Sequence, residues 1–119
     1  MASRDLCQLI DAFNSGELLR PAADTMNLVD LANAIAFLTG AGDLNLTSGA
    51  HHLIDLIGPS THLVFILADG FGMNFVEEMD NEAFIPTHLS MELQSVFPST
   101  TSAALTTLAT AKWPGIHAV

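Results

Sequence analysis

At 119 residues, half of them hydrophobic, the chain is about one small domain by length and long enough to bury a core. Three basic residues against thirteen acidic ones give a net charge of -10, which argues against binding along a nucleic-acid backbone, where Lys and Arg must neutralise phosphates. The one cysteine, Cys7, excludes an internal disulfide and any thiolate metal cluster.

Only 13% of residues are charged, so much of the surface is expected to be buried, in part against other polypeptide. No run approaches the roughly 20 apolar residues of a membrane span, and the opening MASRDLCQLI lacks a basic-then-apolar leader. The expectation is a soluble, cytoplasmic protein with no membrane partner and no nucleic-acid surface.

Residues 3–13 have the spacing of a helix, with Ser3 as a possible cap and Leu6, Leu9, Ile10 and Phe13 on one face. Cys7 sits on that helix and is expected to be a buried thiol. Asn14, Ser15 and Gly16 stop it, and residues 17–26, with Arg20-Pro21, read as a connection. Asn27 starts a second helix with Asp30 in its first turn, an apolar stripe of Leu28, Leu31, Ala32, Ile35 and Leu38, and a stop at Gly40. After a loop over 41–46, Thr47 or Ser48 caps a third helix that buries Leu53, Ile54 and Ile57 and ends at Gly58-Pro59. His51 and His52 are adjacent, so they point about 100° apart on that helix and cannot ligate one metal together.

Residues 63–68, LVFILA, form an apolar run too short for a helix and bounded by turn residues, which suits a strand buried on both faces of a parallel sheet. Asp69 stands at its carboxyl end. Residues 72–79 follow as a helix with Phe75, Val76 and Met79 inward, and a second strand over 89–97 ends at Phe97-Pro98, because proline holds the preceding residue extended. From Thr101 the pattern is helical again, with Leu105, Leu108 and Ala109 sharing a face. A strand-helix-strand-helix order implies a right-handed crossover that brings Asp69 and the Ser99-Thr100-Thr101 cluster to one sheet edge.

Two chemistries are open at that edge. Hydroxyls at a helix start most often cap free backbone N–H groups, and an aspartate after a strand often caps the following helix. Together, a carboxylate and a hydroxyl beside a helix N-terminus can instead share a divalent cation, lower the hydroxyl's pKa and receive a phosphate. Gly70-Phe71-Gly72 does not make a dinucleotide fingerprint, because Phe75 stands where its third glycine belongs, and no G-K-[ST] of a P-loop occurs.

The stretches HLVFILADGFGMNFVEEM and VFPSTTSAALTTLATAKWPGIHAV resemble the N-terminal part of the alkaline phosphatase superfamily, in its type I phosphodiesterase/nucleotide pyrophosphatase branch. The likeness covers residues 62 to 119. It implies that Asp69 matches the first metal-binding aspartate and Thr101 the threonine nucleophile and metal ligand, with Thr100 the alternative nucleophile. It further implies two metal ions, usually zinc, and hydrolysis of a phosphate ester through a phospho-threonine intermediate. Ala111 and Ala118 stand where the family has glycines, and Ala104 where nucleotide pyrophosphatases often have an asparagine, which leaves the substrate open.

The fold that follows is α/β: an N-terminal helical region over 1–61, then over 62–119 the incomplete start of an alkaline phosphatase-like catalytic domain on a parallel sheet. The remaining metal ligands of such enzymes lie far downstream, so the chain is expected to be an N-terminal fragment, inactive by itself. The substrate is a small phosphate ester. A phosphomutase of the same superfamily and a non-enzymatic interaction module are the alternatives.

Overall fold

The computed structural model describes residues 2–19, 21–22 and 24–119, without the side chains of Ala2 and Ser3. The expected Ser3 cap and the Arg20 connection thus lie outside the described residues. In chain order the elements are α1 (Ala2–Asn14), α2 (Leu28–Leu38), α3 (Ser48–Ile57), α4 (Met73–Glu78), α5 (Phe84–His88), α6 (Thr101–Thr110) and α7 (Pro114–His117). No helix among the described residues is long and apolar enough to cross a membrane.

The α2 start follows from two side chains. The Asn27 side-chain oxygen accepts from the Val29 and Asp30 N–H groups at 3.0 and 3.1 Å, and Asp30 Oδ2 accepts from the Asn27 N–H at 3.2 Å. This reciprocal box satisfies donors that a helix start otherwise leaves free. At the start of α3, Thr47 Oγ accepts from the Ala50 N–H at 3.1 Å and donates to Asp30 Oδ1. One buried carboxylate therefore joins the N-termini of two helices, where the partial positive charge of each favours it. Helix α2 packs on α3 through this junction and, beyond it, on α6.

Val29, Val96 and Ala103 form the core, with Leu28 and Ala104 packed against it. Of the stripe expected on α2 only Ala32 is buried, together with Val29, Asp30 and Ala34, while Leu28, Leu31, Ile35 and Leu38 are half-buried. Two neighbours cover α2 instead of one, and small side chains admit close approach. On α6 the buried residues are Ala103 and Thr107, and Leu105, on the face it shares with Leu108 and Ala109, is exposed. In α3 Leu53 is buried as expected, whereas Ile57 is exposed.

The α/β expectation is overturned: the described residues form no strand and no sheet. A strand needs a neighbour for its alternating N–H and C=O groups, and residues 63–68 and 89–97 do not pair with each other. Gln94 instead bridges to the turn before α2, its N–H donating to Met26 O and its carbonyl accepting from the Leu28 N–H, both at 3.0 Å. That single parallel bridge uses the second segment's pairing capacity where α2 begins. The first segment lies outside any helix or strand and is exposed, with Val64 at 80% and Ile66 at 84%.

The outer helices also depart from expectation. No other helix packs on α1 among the described residues, so Leu6, Leu9 and Ile10 are exposed and Cys7 is an exposed thiol rather than a buried one. Phe13 meets Phe97 edge-on at 5.1 Å, which ties α1 to the approach to α6. Helix α4 packs on α5 and buries none of Phe75, Val76 and Met79.

Gly49 tests the two-helix junction. A Cβ there would overlap the Asp30 carboxylate, lying 2.7 Å from its Cγ. Gly49→Ala gains about 1 kcal/mol in helix propensity but loses about 1–3 kcal/mol to overpacking, so urea denaturation should show a net loss of stability. A gain would mean that the carboxylate is not held in place.

Candidate functional site

Asp69 closes the exposed segment 63–68, and Gly70 follows with φ at +71°, a left-handed turn that glycine makes without strain. Thr101 is the first residue of α6. Its Oγ donates to Asp69 Oδ2 at 3.4 Å, a long hydrogen bond across 32 positions of sequence. Both residues line one cavity of about 620 Å³, with Asn74, Ser95 and Ser99 as further polar walls and Phe71 and Phe75 among the apolar ones. The juxtaposition that the crossover argument sought is present, reached without a sheet.

The hydroxyl cluster does not cap α6. Thr100 is the N-cap, yet its side chain makes no cap hydrogen bond; its Oγ lies 3.4 Å from Ser102 Oγ. Thr101 is turned to Asp69. The first N–H groups of α6 are therefore left without a side-chain cap, which is the condition under which a helix start receives an anion. Asp69 does not cap the next helix either: the α4 N-cap is Gly72, with no side-chain cap bond.

Behind Thr101, α6 is held from two sides. The Val119 N–H donates to His117 Nδ1 at 3.2 Å, which leaves the ring proton on Nε2, 3.1 Å from the buried Thr107 Oγ. His117 thus fastens α7 to α6. Asn33, on α2, donates to Ala111 O at 3.4 Å at the other end of the helix. Ala111 and Ala118 end their helices at φ values of +53° and +59°, in the left-handed region. The backbone at both takes the form that glycine favours.

Asp69 and Thr101 offer two oxygen donors. Among the described residues no group of three or more His, Cys, Asp or Glu is gathered around one point. Zinc takes at least three protein ligands even in open catalytic sites, so this pair alone does not fit a zinc ion. His51 and His52 stand exposed on α3, and His52 lines a separate cavity beside Asp30.

Comparison of the chain with family models, with curated proteins and with solved structures returned no match. Asn74 and Ser95 were not singled out by sequence reasoning, because neither belongs to a pattern and only the packing brings them to the cavity wall.

Two substitutions probe this support. Ala111→Gly should raise stability by about 1 kcal/mol in thermal melts by relieving a left-handed alanine. His117→Ala leaves the buried Thr107 hydroxyl without its ring partner and should lower stability by about 1–3 kcal/mol, read by urea denaturation.

Proposed function

We propose that the chain carries the nucleophile of a phosphoric ester hydrolase of the phosphodiesterase/nucleotide pyrophosphatase type. The observation that carries this reading is the Thr101–Asp69 hydrogen bond at the mouth of α6, in a cavity large enough for a small ligand. It adds to the motif resemblance, which assigns the same two residues. A hydroxyl whose proton already points at a carboxylate is oriented for attack.

In the first step Thr101 Oγ attacks phosphorus as its proton passes to Asp69, a Thr101–phosphoryl bond forms, and the P–O bond to the alcohol breaks. The departing alkoxide takes a proton from water to leave as the alcohol. In the second step the hydroxide so formed attacks the phospho-threonine, the bond between Thr101 Oγ and phosphorus breaks, phosphate or a phosphate monoester leaves, and the proton held by Asp69 returns to Thr101. The uncapped N–H groups at the start of α6, that of Thr101 first, hold the phosphoryl oxygens through both steps. A divalent cation, two zinc ions in the implied family, would find two of its oxygen ligands in Asp69 and Thr101 and needs others beyond them; the steps above run on the chain's own groups.

A second reading, an interaction module without catalysis, draws on the exposed apolar segment 63–68. The two are separated by incubating the gene product extended past Val119, residues 1–119 alone being expected inactive, with an aryl phosphodiester and an aryl monoester, with zinc or manganese supplied, beside its Thr101→Ala and Asp69→Asn variants. Hydrolysis, with a phosphoryl adduct on Thr101 by mass spectrometry, is expected in the unaltered protein. Thr101→Ala should lose at least about a hundredfold of the rate. Hydrolysis unchanged in Thr101→Ala, or absent from every protein, sinks the hydrolase reading.

A further inference from the structure

Residues 63–68, LVFILA, carry no charge, no proline and no glycine. Their exposure alternates along the chain: Leu63 37%, Val64 80%, Phe65 46%, Ile66 84% and Leu67 50%. A period of two is what a strand-like backbone gives, with Leu63, Phe65 and Leu67 turned toward the molecule and Val64 and Ile66 toward solvent. Leu67 accordingly reaches the wall of the cavity beside Asp69. Among the described residues, no backbone hydrogen bond reaches the N–H and carbonyl groups of 63–68.

An exposed apolar run with open N–H and carbonyl groups is a template for strand pairing with another chain. The other apolar run, 89–97, is already engaged at Gln94 with the turn before α2. A partner has to be uncharged where it meets 63–68, because no side chain there offers a charge to hold a basic or an acidic peptide. A second copy of the run meets that condition. Its neutrality also lets two chains of net charge -10 touch without setting like charges face to face.

The flanks decide the orientation. Two runs paired parallel and in register set Asp69 beside Asp69, whereas antiparallel pairing about a twofold axis at Phe65 sets Asp69 opposite Thr61. In that register Val64 lies opposite the Ile66 of the other copy and Leu63 opposite its Leu67, so every residue from 63 to 67 meets an apolar one. Moving the axis to Ile66 would put Asp69 opposite Leu63. We infer that residues 63–68 form a homodimer interface, in which the run pairs antiparallel with the same run of a second copy. This goes beyond the phosphoester reading and does not rest on chemistry at Thr101.

Sedimentation equilibrium of the intact chain should show a monomer–dimer equilibrium. It should tighten at least about threefold between about 50 and about 500 mM salt, as repulsion between the acidic copies is screened. Val64→Lys and Ile66→Lys, at positions too exposed for the monomer fold to depend on them, should each weaken the dimer at least about tenfold and leave the urea midpoint at monomeric concentration unchanged. In a mixture of isotope-labelled and unlabelled chains, NMR contacts should join Val64 of one copy to Ile66 of the other. A monomer at every concentration leaves the run to a different partner and overturns the inference. A dimer that both lysine variants leave intact overturns it too, since its interface then lies elsewhere. Contacts joining Val64 to Val64 and Ile66 to Ile66 would mark parallel pairing and overturn the orientation, and assemblies that grow past the dimer overturn the closed pair.

Discussion

The Asp30 carboxylate is the constraint on which the rest depends. It is buried, and among the described residues no lysine or arginine pairs with it; its partners are the Asn27 N–H and the Thr47 hydroxyl. Bonds to a charged group contribute about 1.5–3 kcal/mol each, more than neutral ones, and leaving such a group unsatisfied costs more still. The two helix N-termini that meet there add favourable partial charge. The junction sets α2 against α3. Helix α2 then seats α6 through Val29 and Ala103, and Leu28 forms part of the cavity wall that faces Thr101.

The helix starts at 27–30 and 47–48 were legible because capping is local. An Asn or Thr followed within three residues by the matching groups satisfies the first N–H donors wherever the segment lies. The strands were not legible in the same way. The LVFILA run reports an extended, apolar segment, and whether it pairs depends on a second segment arriving alongside. Residues 89–97 pair at Gln94 with the turn before α2, so the run stays single. Burial failed for a related reason: periodicity names a face, but α2 has two neighbours and α1 has no helical one among the described residues, so leucine stripes on both lie outside the core.

At the site, the motif residues and their surroundings differ in how they could be found. Asp69 and Thr101 stood out by residue type and by the family pattern, and the helix beginning at Thr101 followed from proline and the apolar spacing. Their approach to each other was argued through a sheet that does not form, and the packing of segment 67–72 against the start of α6 brings them together instead. Local pattern favours capping for hydroxyls at a helix start. Their actual partners decide: Thr101 turns to a carboxylate 32 positions away, and Thr100 leaves the cap position unfilled.

What the sequence by itself determined is the set of properties that a few neighbouring residues settle: the helix starts and stops, the acidic balance, the turn at Asp69-Gly70, and the identity of the residues with chemistry to offer. The tertiary structure alone decided which faces are buried, that the two apolar runs do not pair with each other, that Thr101 reaches Asp69, and that Phe71 and Phe75 share their cavity. The physical reason is range. Capping bonds and backbone torsions are satisfied within four or five residues, whereas burial and strand pairing are contests among distant segments whose outcome no single segment encodes.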